Sequence, residues 1–263
     1  MTILIEKKYP VYTVIIDNSE VKNAVDASTA LELANAFRDF EEDKKALVAV
    51  LWGTNGVFCS GANLKAIVDG RGNRIEVEGD SPMGPCRMML SKPTIAAVAG
   101  YAVAGGLELA IWCDLRVMEE SAIFGVFCRR FGVPLVDGGT VRLPRLIGLS
   151  RALDMILTGR PVSAQEAFEW GLANRIVKDG TVREEAEKLA RQIASFPQIC
   201  MRNDRSSTYE QFGMNLKGAM KNEFEYGLNT LESGEYLEGS KKFTLGKGKH
   251  GSKSPFSKNN EMC

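Results

Sequence analysis

The sequence predicts an α/β chain, and three observations carry that prediction. Short β-branched runs alternate with helical patterns, two glycine turns lead from an apolar run into a helical pattern, and the C-terminal part is helical without strands. The chain opens on alternating residues, ILIEKKYPVYTVIID, with a strand expected at 13–17 (TVIID). DASTALELANAFRDFEED then starts on the good N-cap Asp26 and places Leu31, Ala34 and Phe37 at helical spacing, so a helix should pack on the sheet. Further strands are expected at 47–53 (LVAVLWG), 94–100 (TIAAVAG) and 114–118 (DLRVM). Between them, residues 69–85 are rich in glycine and charge and read as a mobile loop. SAQEAFEWGL holds a capping box, Ser163 with Glu166, and a helix stop at Gly171. From REEAEKLARQIASF onward only helical patterns remain, so a sheet-bearing core should give way to a helical tail near 140–160. No repeat recurs at a fixed period.

Composition narrows the function. At 263 residues the chain is long enough for one or two domains with a sizeable core. Its 33 basic residues balance 33 acidic ones, so no net field points to nucleic acid or an anionic membrane. Six cysteines without a CxxC pair imply a reducing compartment and no disulfide framework. The N-terminus has neither a signal core nor an Arg-rich presequence, and no apolar run approaches the length of a membrane span. A cytoplasmic protein is expected, or a mitochondrial-matrix one if a transit peptide has been removed. The single histidine, His250, sits in the polar segment GKGKHGSKSPFSKNN, which argues against histidine-centred triads and two-histidine zinc sites. GKGKHG matches GxGxxG formally, but no strand precedes it and no helix follows, and no GxxxxGK[ST] occurs.

Chemistry concentrates at the glycine turns. TIAAVAGYAVAGGLELAIWCDLRV reads as a buried strand, a turn and a helix beginning near Gly105, whose unpaired N–H groups and positive partial charge can hold an oxyanion. Glu108 lies one turn later, and Ala104, Gly105, Ile111 and Trp112, three and four places away, offer it no cation. Burial there would raise its pKa towards neutral and suit it to proton transfer; the plainer alternative is a partly exposed glutamate on a helix edge. A second turn, Gly61-Ala62-Asn63, follows the strand at 47–53, and Ala62 could offer a second N–H to the same oxygen.

Several ordered motifs, NAVD at 23–26, GVFCSGANLK at 56–65, AGYAVAGGLELA at 99–110, CDLRV at 113–117, FGVFCRRFGVPLVDGGTVRLPRLIG at 124–148 and GLANRIV at 171–177, resemble the crotonase, or enoyl-CoA hydratase/isomerase, superfamily. The resemblance runs from about 10 to 250. It implies a spiral of ββα units forming two roughly perpendicular sheets over residues 1–195, a helical trimerisation region at 196–250, and a homotrimer or a hexamer built as a dimer of trimers; 251–263 reads as a disordered tail. It implies an acyl-CoA substrate, with coenzyme A as part of that substrate and neither metal nor redox cofactor. Ala62 and Gly105 fall on the oxyanion-hole amides and Glu108 on the first catalytic carboxylate. Lys22, Ala24, Ala62, Asn63, Leu64 and Lys65 match segments that line bound CoA, with Lys22 and Lys65 set to meet phosphates or, alternatively, to be solvated surface charges.

Three departures bear on the reaction. Cys128 stands where hydratases of the family carry a second glutamate, and reads either as a different acid–base partner or as a small apolar filler. Asp137 falls where dienoyl-CoA isomerases place an acidic group and could replace that glutamate, or could form an Asx turn before two glycines. Asn63 replaces a frequent aspartate, keeping the cap but losing the charge. Arg129 and Arg130 are expected at surface or subunit contacts, or near an acidic acyl group. The expected activity is hydration of a trans-2-enoyl-CoA, or its reverse, through a thioester enolate. An isomerase, decarboxylase or hydrolase of the same superfamily is the alternative. So is a non-catalytic acyl-CoA- or RNA-binding homologue using the basic residues Lys241, Lys242, Lys247 and Lys249, which the neutral overall charge disfavours.

Overall fold

The computed structural model describes residues 2–246, and the chain divides into two compact units between Ala194 and Ser195. The expected tail at 251–263, with His250, Lys247 and Lys249, lies outside the described residues. The first unit contains nine strands: β1 (Ile3–Lys8), β2 (Val11–Ile16), β3 (Val48–Gly53), β4 (Thr94–Val98), β5 (Tyr101–Val103), β6 (Leu115–Glu119), β7 (Ile123–Gly125), β8 (Pro161–Ser163) and β9 (Arg175–Val177). Six of them form one sheet in the order β1-β2-β3-β4-β6-β9, antiparallel at β1–β2 and parallel beyond. The other three form a small sheet, β5-β7-β8.

The parallel strands read as continuous apolar runs because both faces of the large sheet are covered. Alternate residues Tyr12, Val14, Ile16, Ala49, Leu51, Ala96 and Val98 join the core that includes Leu33, Phe37 and Phe40 of α1 (Ala27–Glu42). The intervening Val11, Val48, Val50, Ile95, Ala97 and Val117 pack with a helix at Val182–Ala194 through its Val182, Ala186, Leu189 and Ala190. Asp26 Oδ1 accepts from Thr29 N at 3.0 Å and so caps α1 as expected. Leu31, read as part of the buried stripe, is 57% exposed; Ala30, Leu33, Ala34, Phe37 and Phe40 carry that face, about 100° away around the helix.

The remaining helices of this unit are α2 (Leu64–Val68), α3 (Gly105–Trp112), α4 (Gly139–Ile147), α5 (Leu149–Thr158) and α6 (Ala164–Glu169), with α7 the helix at Val182–Ala194. Ser163 Oγ accepts from Glu166 N at 3.2 Å, but the Glu166 carboxylate turns to Arg160 instead of completing the capping box. The expected loss of strands near 140–160 is corrected by β8 and β9, which lie beyond it. Three-residue strands are too short to print a periodicity, and β5 and β7 escape sequence reading for the same reason.

The second unit holds α8 (Gln198–Glu210), α9 (Leu216–Glu232) and α10 (Glu235–Thr244). Asn203 Nδ2 on α8 donates to Thr230 Oγ1 of α9 at 2.9 Å, and the Tyr226 hydroxyl donates to Glu210 at 2.6 Å. Leu216, Met220, Phe224, Leu228 and Leu231 form an apolar stripe along α9 that is exposed in the single chain. No helix among the described residues is long and apolar enough to cross a membrane, and no metal-binding group of His, Cys, Asp and Glu occurs among them.

Candidate active site

Two turns are brought together by the small sheet. After β3 the chain runs beside β5: Cys59 N donates to Tyr101 O at 3.0 Å and Val103 N donates back to Cys59 O at 3.1 Å. At Gly61, φ +96° turns the strand over, so its next bonds go to the other side, with Val25 N donating to Gly61 O and Asn63 N to Val25 O. The Ala62 N–H between them is therefore not bonded to Val25, and the turn lies close to the start of α3: a Cβ placed on Gly61 would sit 3.1 Å from Gly105 N. Ala104, in turn, takes φ +53°, ψ −126° at the junction of β5 and α3, a conformation costly for a residue with a side chain. Gly105 is then the first residue of α3, and its N–H precedes any intrahelical acceptor. Neither the Ala62 nor the Gly105 amide donates to a protein acceptor among the described residues.

The glycine pair has a steric cause. A Cβ on Gly105 would lie 2.6 Å from Met83 Sδ, and one on Gly106 would lie 2.1 Å from Cys59 O, so both turns approach as closely as they do only with hydrogen in those places.

Glu108, one turn into α3, directs its side chain back towards the helix start, as helical side chains do. It is buried, 2% exposed, and its Oε1 accepts from Asp137 N at 2.9 Å and from Gly139 N at 2.8 Å. The second oxygen carries no hydrogen bond among the described residues. Burial raises the carboxyl's pKa and the neighbouring Asp137 raises it further; the two amides and Arg142 oppose this without cancelling it, leaving it at about 7. Gly139 was not singled out in the sequence, although DGGT was visible: a Cβ there would sit 2.9 Å from Glu108 Oε1.

Ala62, Leu64, Gly105, Glu108, Cys128 and Asp137 line one cavity of about 250 Å³, whose remaining wall is mostly apolar, including Ile67, Ile75, Phe127, Phe131, Val133 and Val136. The Cys128 thiol is buried, and burial followed by the Glu108 charge pushes its pKa up, so it stays protonated at neutral pH. Asp137 is 4% exposed, its pKa also raised by burial; Oδ1 accepts from Met83 N at 2.7 Å.

The other expected binding residues stand outside the lining. Asn63 Oδ1 caps α2, accepting from Ala66 N at 3.1 Å. Ala24 is buried beside Val25. Lys22 and Lys65 are exposed and form no ion pair among the described residues; the Lys22 carbonyl accepts from the amide of Ser60, which lines the cavity, and Lys65 follows Leu64, which also does. Arg129 and Arg130 are accounted for without substrate: Arg129 Nε donates to Ile156 O, and Arg130 Nε and Nη2 donate to Gly159 O, at the carbonyl end of α5. Met83 and Arg142 gave no signal in the sequence, because their importance depends on which segments the fold sets beside Asp137.

The profile of the enoyl-CoA hydratase/isomerase family matches residues 6–250. A carnitinyl-CoA dehydratase from Proteus mirabilis is 32% identical over 239 residues, covering 87% of this chain and 90% of that protein. A carnitinyl-CoA dehydratase from Salmonella typhi is 36% identical over 188 residues, 71% of this chain and 72% of its own. Among solved structures, an enoyl-CoA hydratase from Mycobacterium tuberculosis superposes with a TM-score of 0.88 at 31% identity, covering 93% of this chain and 96% of that one.

Proposed function

Because the chain belongs to the enoyl-CoA hydratase/isomerase family of the crotonase superfamily, and so is an enzyme of the lyase type, we propose that it adds water across the C2–C3 double bond of an acyl-CoA thioester, or removes it. The observation that carries this reading is one cavity shared by two unpaired turn amides and a carboxyl with a pKa of about 7. The thioester oxygen sits between the N–H groups of Ala62 and Gly105. Ionised Glu108 takes a proton from water as the water oxygen bonds to C3, and the π electrons move through C2 to the thioester oxygen. The amides hold the resulting enolate, and losing one such donor costs about 3–4 kcal/mol. Glu108 then returns the proton to C2, which makes addition syn, since one carboxyl serves both carbons from one side. The reverse sequence is dehydration. No group beyond the CoA carried by the substrate takes part.

The cavity suits the acyl end alone, being smaller than the roughly 300–1,000 Å³ that encloses a whole drug-sized ligand. Glu108 and Asp137 are the only acidic residues lining it among the described residues, and the remaining wall is mostly apolar, which supports an aliphatic acyl group. Lys22 and Lys65 are placed to meet phosphates outside the cavity. The exposed apolar stripe on α9 supports association of like chains as a homotrimer, or as two trimers in a hexamer, which light scattering on the purified protein measures.

The test is steady-state hydration of crotonyl-CoA and longer enoyl-CoAs, with products identified by mass spectrometry, beside a Glu108→Gln variant. Hydroxyacyl-CoA formation that drops about 10²–10⁴-fold in the variant is expected. A shifted double bond, free CoA or CO2 as the product would replace hydration with isomerisation, hydrolysis or decarboxylation. Salt-sensitive RNA binding with no turnover would replace catalysis altogether.

A further inference from the structure

We propose that Asp137 is a positioning residue, whose carboxylate clamps the segment 81–86 across the cavity wall while its own amide seats Glu108, and that it exchanges no proton with substrate. The inference rests on the hydration reading above. It reassigns a carboxylate that lies in the cavity beside Glu108 and would otherwise be taken as a second acid–base group.

Three hydrogen bonds converge on this one residue. Its N–H donates to Glu108 Oε1 at 2.9 Å, its carbonyl accepts from Arg142 Nη1 at 3.0 Å, and its Oδ1 accepts from Met83 N at 2.7 Å. Arg142 continues the clamp, donating through Nη2 to Cys86 O at 2.7 Å. Ser81 Oγ accepts from Cys86 N at 3.1 Å and reaches Gly84 O at 3.1 Å, so residues 81–86 form a closed turn with Asp137 at its base. The buried Met83 side chain fills the space against Gly105 that a Cβ would need. A single residue, through its amide and its carboxylate, thus ties the Glu108 seat on one side of the cavity to the packing behind an oxyanion amide on the other. Asp137 Oδ1 is committed to Met83 N, and the clamp it makes depends on that acceptor and not on a transferable proton.

The distinguishing variant is Asp137→Asn, because an amide oxygen accepts from Met83 N as a carboxylate does, whereas Asp137→Ala cannot. The charged and titratable groups facing Glu108 and Asp137 are Arg142, Arg87, Cys86 and Cys128; among them and Asp137, only Asp137 adds a negative charge beside Glu108 at neutral pH. On the full chain with crotonyl-CoA, Asp137→Asn should keep kcat/KM within about tenfold and move the acidic limb of its pH profile to lower pH, since the neighbouring negative charge is gone. Asp137→Ala should lose about 10²-fold through misplacement. Amide hydrogen exchange at Met83 gives a readout that needs no turnover: protection is retained in Asp137→Asn and lost in Asp137→Ala. If Asp137→Asn falls as far as Asp137→Ala, and its pH profile loses the alkaline limb, Asp137 transfers a proton itself and the proposal is overturned. Unchanged Met83 protection in Asp137→Ala overturns it too, and should Asp137→Ala fail to fold, the Asp137→Asn profile and its Met83 protection decide alone. A wild-type chain inactive on every enoyl-CoA, with Met83 exchange still following the substitution, sinks the hydration reading and leaves the clamp standing.

Discussion

Asp43, just past the end of α1, and Glu108, in α3, both accept backbone N–H groups, yet one is held at a pKa of about 2 and the other at about 7. Asp43 sits near solvent with Lys7 Nζ at 2.9 Å and the Tyr9 hydroxyl at 2.9 Å, and the Lys7 hydrogen bond is the chief cause of its depression. Glu108 is buried at the cavity wall with the Asp137 carboxylate acting on it, and burial is the chief cause of its rise. The two regions teach that hydrogen bonds alone do not set a carboxyl's pKa. A cation in water lowers it; desolvation beside a like charge raises it despite two well-formed N–H bonds. The first arrangement ties chain segments together, and the second holds a proton ready for exchange near neutral pH.

The sharpest way to break the comparison is to neutralise each acid in turn. Glu108→Gln should lower kcat for enoyl-CoA hydration by about 10²–10⁴-fold, whereas Asp43→Asn should change it by less than about twofold; comparable losses would mean the contrast has no functional content. Next in size, Gly139→Ala should cost about 10²-fold in kcat/KM, because its Cβ would meet Glu108 Oε1 at 2.9 Å and displace the carboxyl without altering its chemistry. A shift of Glu108 confirmed by crystallography alongside the kinetic loss would tie the rate to the seat.

The pH profile comes third. Glu108 must be ionised to accept water's proton, so kcat/KM for hydration should fall about tenfold per pH unit below a limb near pH 7. A limb near 4.5 would mean burial does not govern the group.

Stability gives the smallest and most instructive effect. Glu108's folded pKa lies above its unfolded value, so the ionised form costs stability above pH 7, and that cost disappears below about pH 4.5. Glu108→Gln should therefore raise stability at pH 8 by up to about 3 kcal/mol and leave it nearly unchanged at pH 4, as read from urea midpoints. Asp43's folded pKa is depressed, so its contribution is present above about 3.8 and lost as pH falls towards 2. Asp43→Asn should lower stability slightly at pH 7 and progressively less as pH falls through 2.

Much of this was legible in the residues. The runs at 47–53 and 94–100 became β3 and β4, Asp26 caps α1, and the two glycine turns stood out beside an acid with no cation at helical spacing. The strands β5, β7, β8 and β9 are invisible because three residues print no period, and Leu31 lies outside the buried stripe because which side of α1 meets the sheet is set by packing. Gly139, Met83 and Arg142 could not be chosen from the string, since each matters only through an atom supplied by a distant segment.

By itself, then, the sequence determined the α/β class, the two bends rich in small residues and the lack of a cation at helical spacing from Glu108, because these depend on local conformational preference and near-neighbour identity. Only the tertiary structure decided that the Ala62 and Gly105 amides flank one cavity, that residues 137 and 139 donate to a carboxyl some thirty positions earlier, and that Cys128 and Asp137 lie beside it. Desolvation and mutual charge act through space, and it is the folding of β5 against the segment after β3, with α4 beginning over α3, that sets those distances.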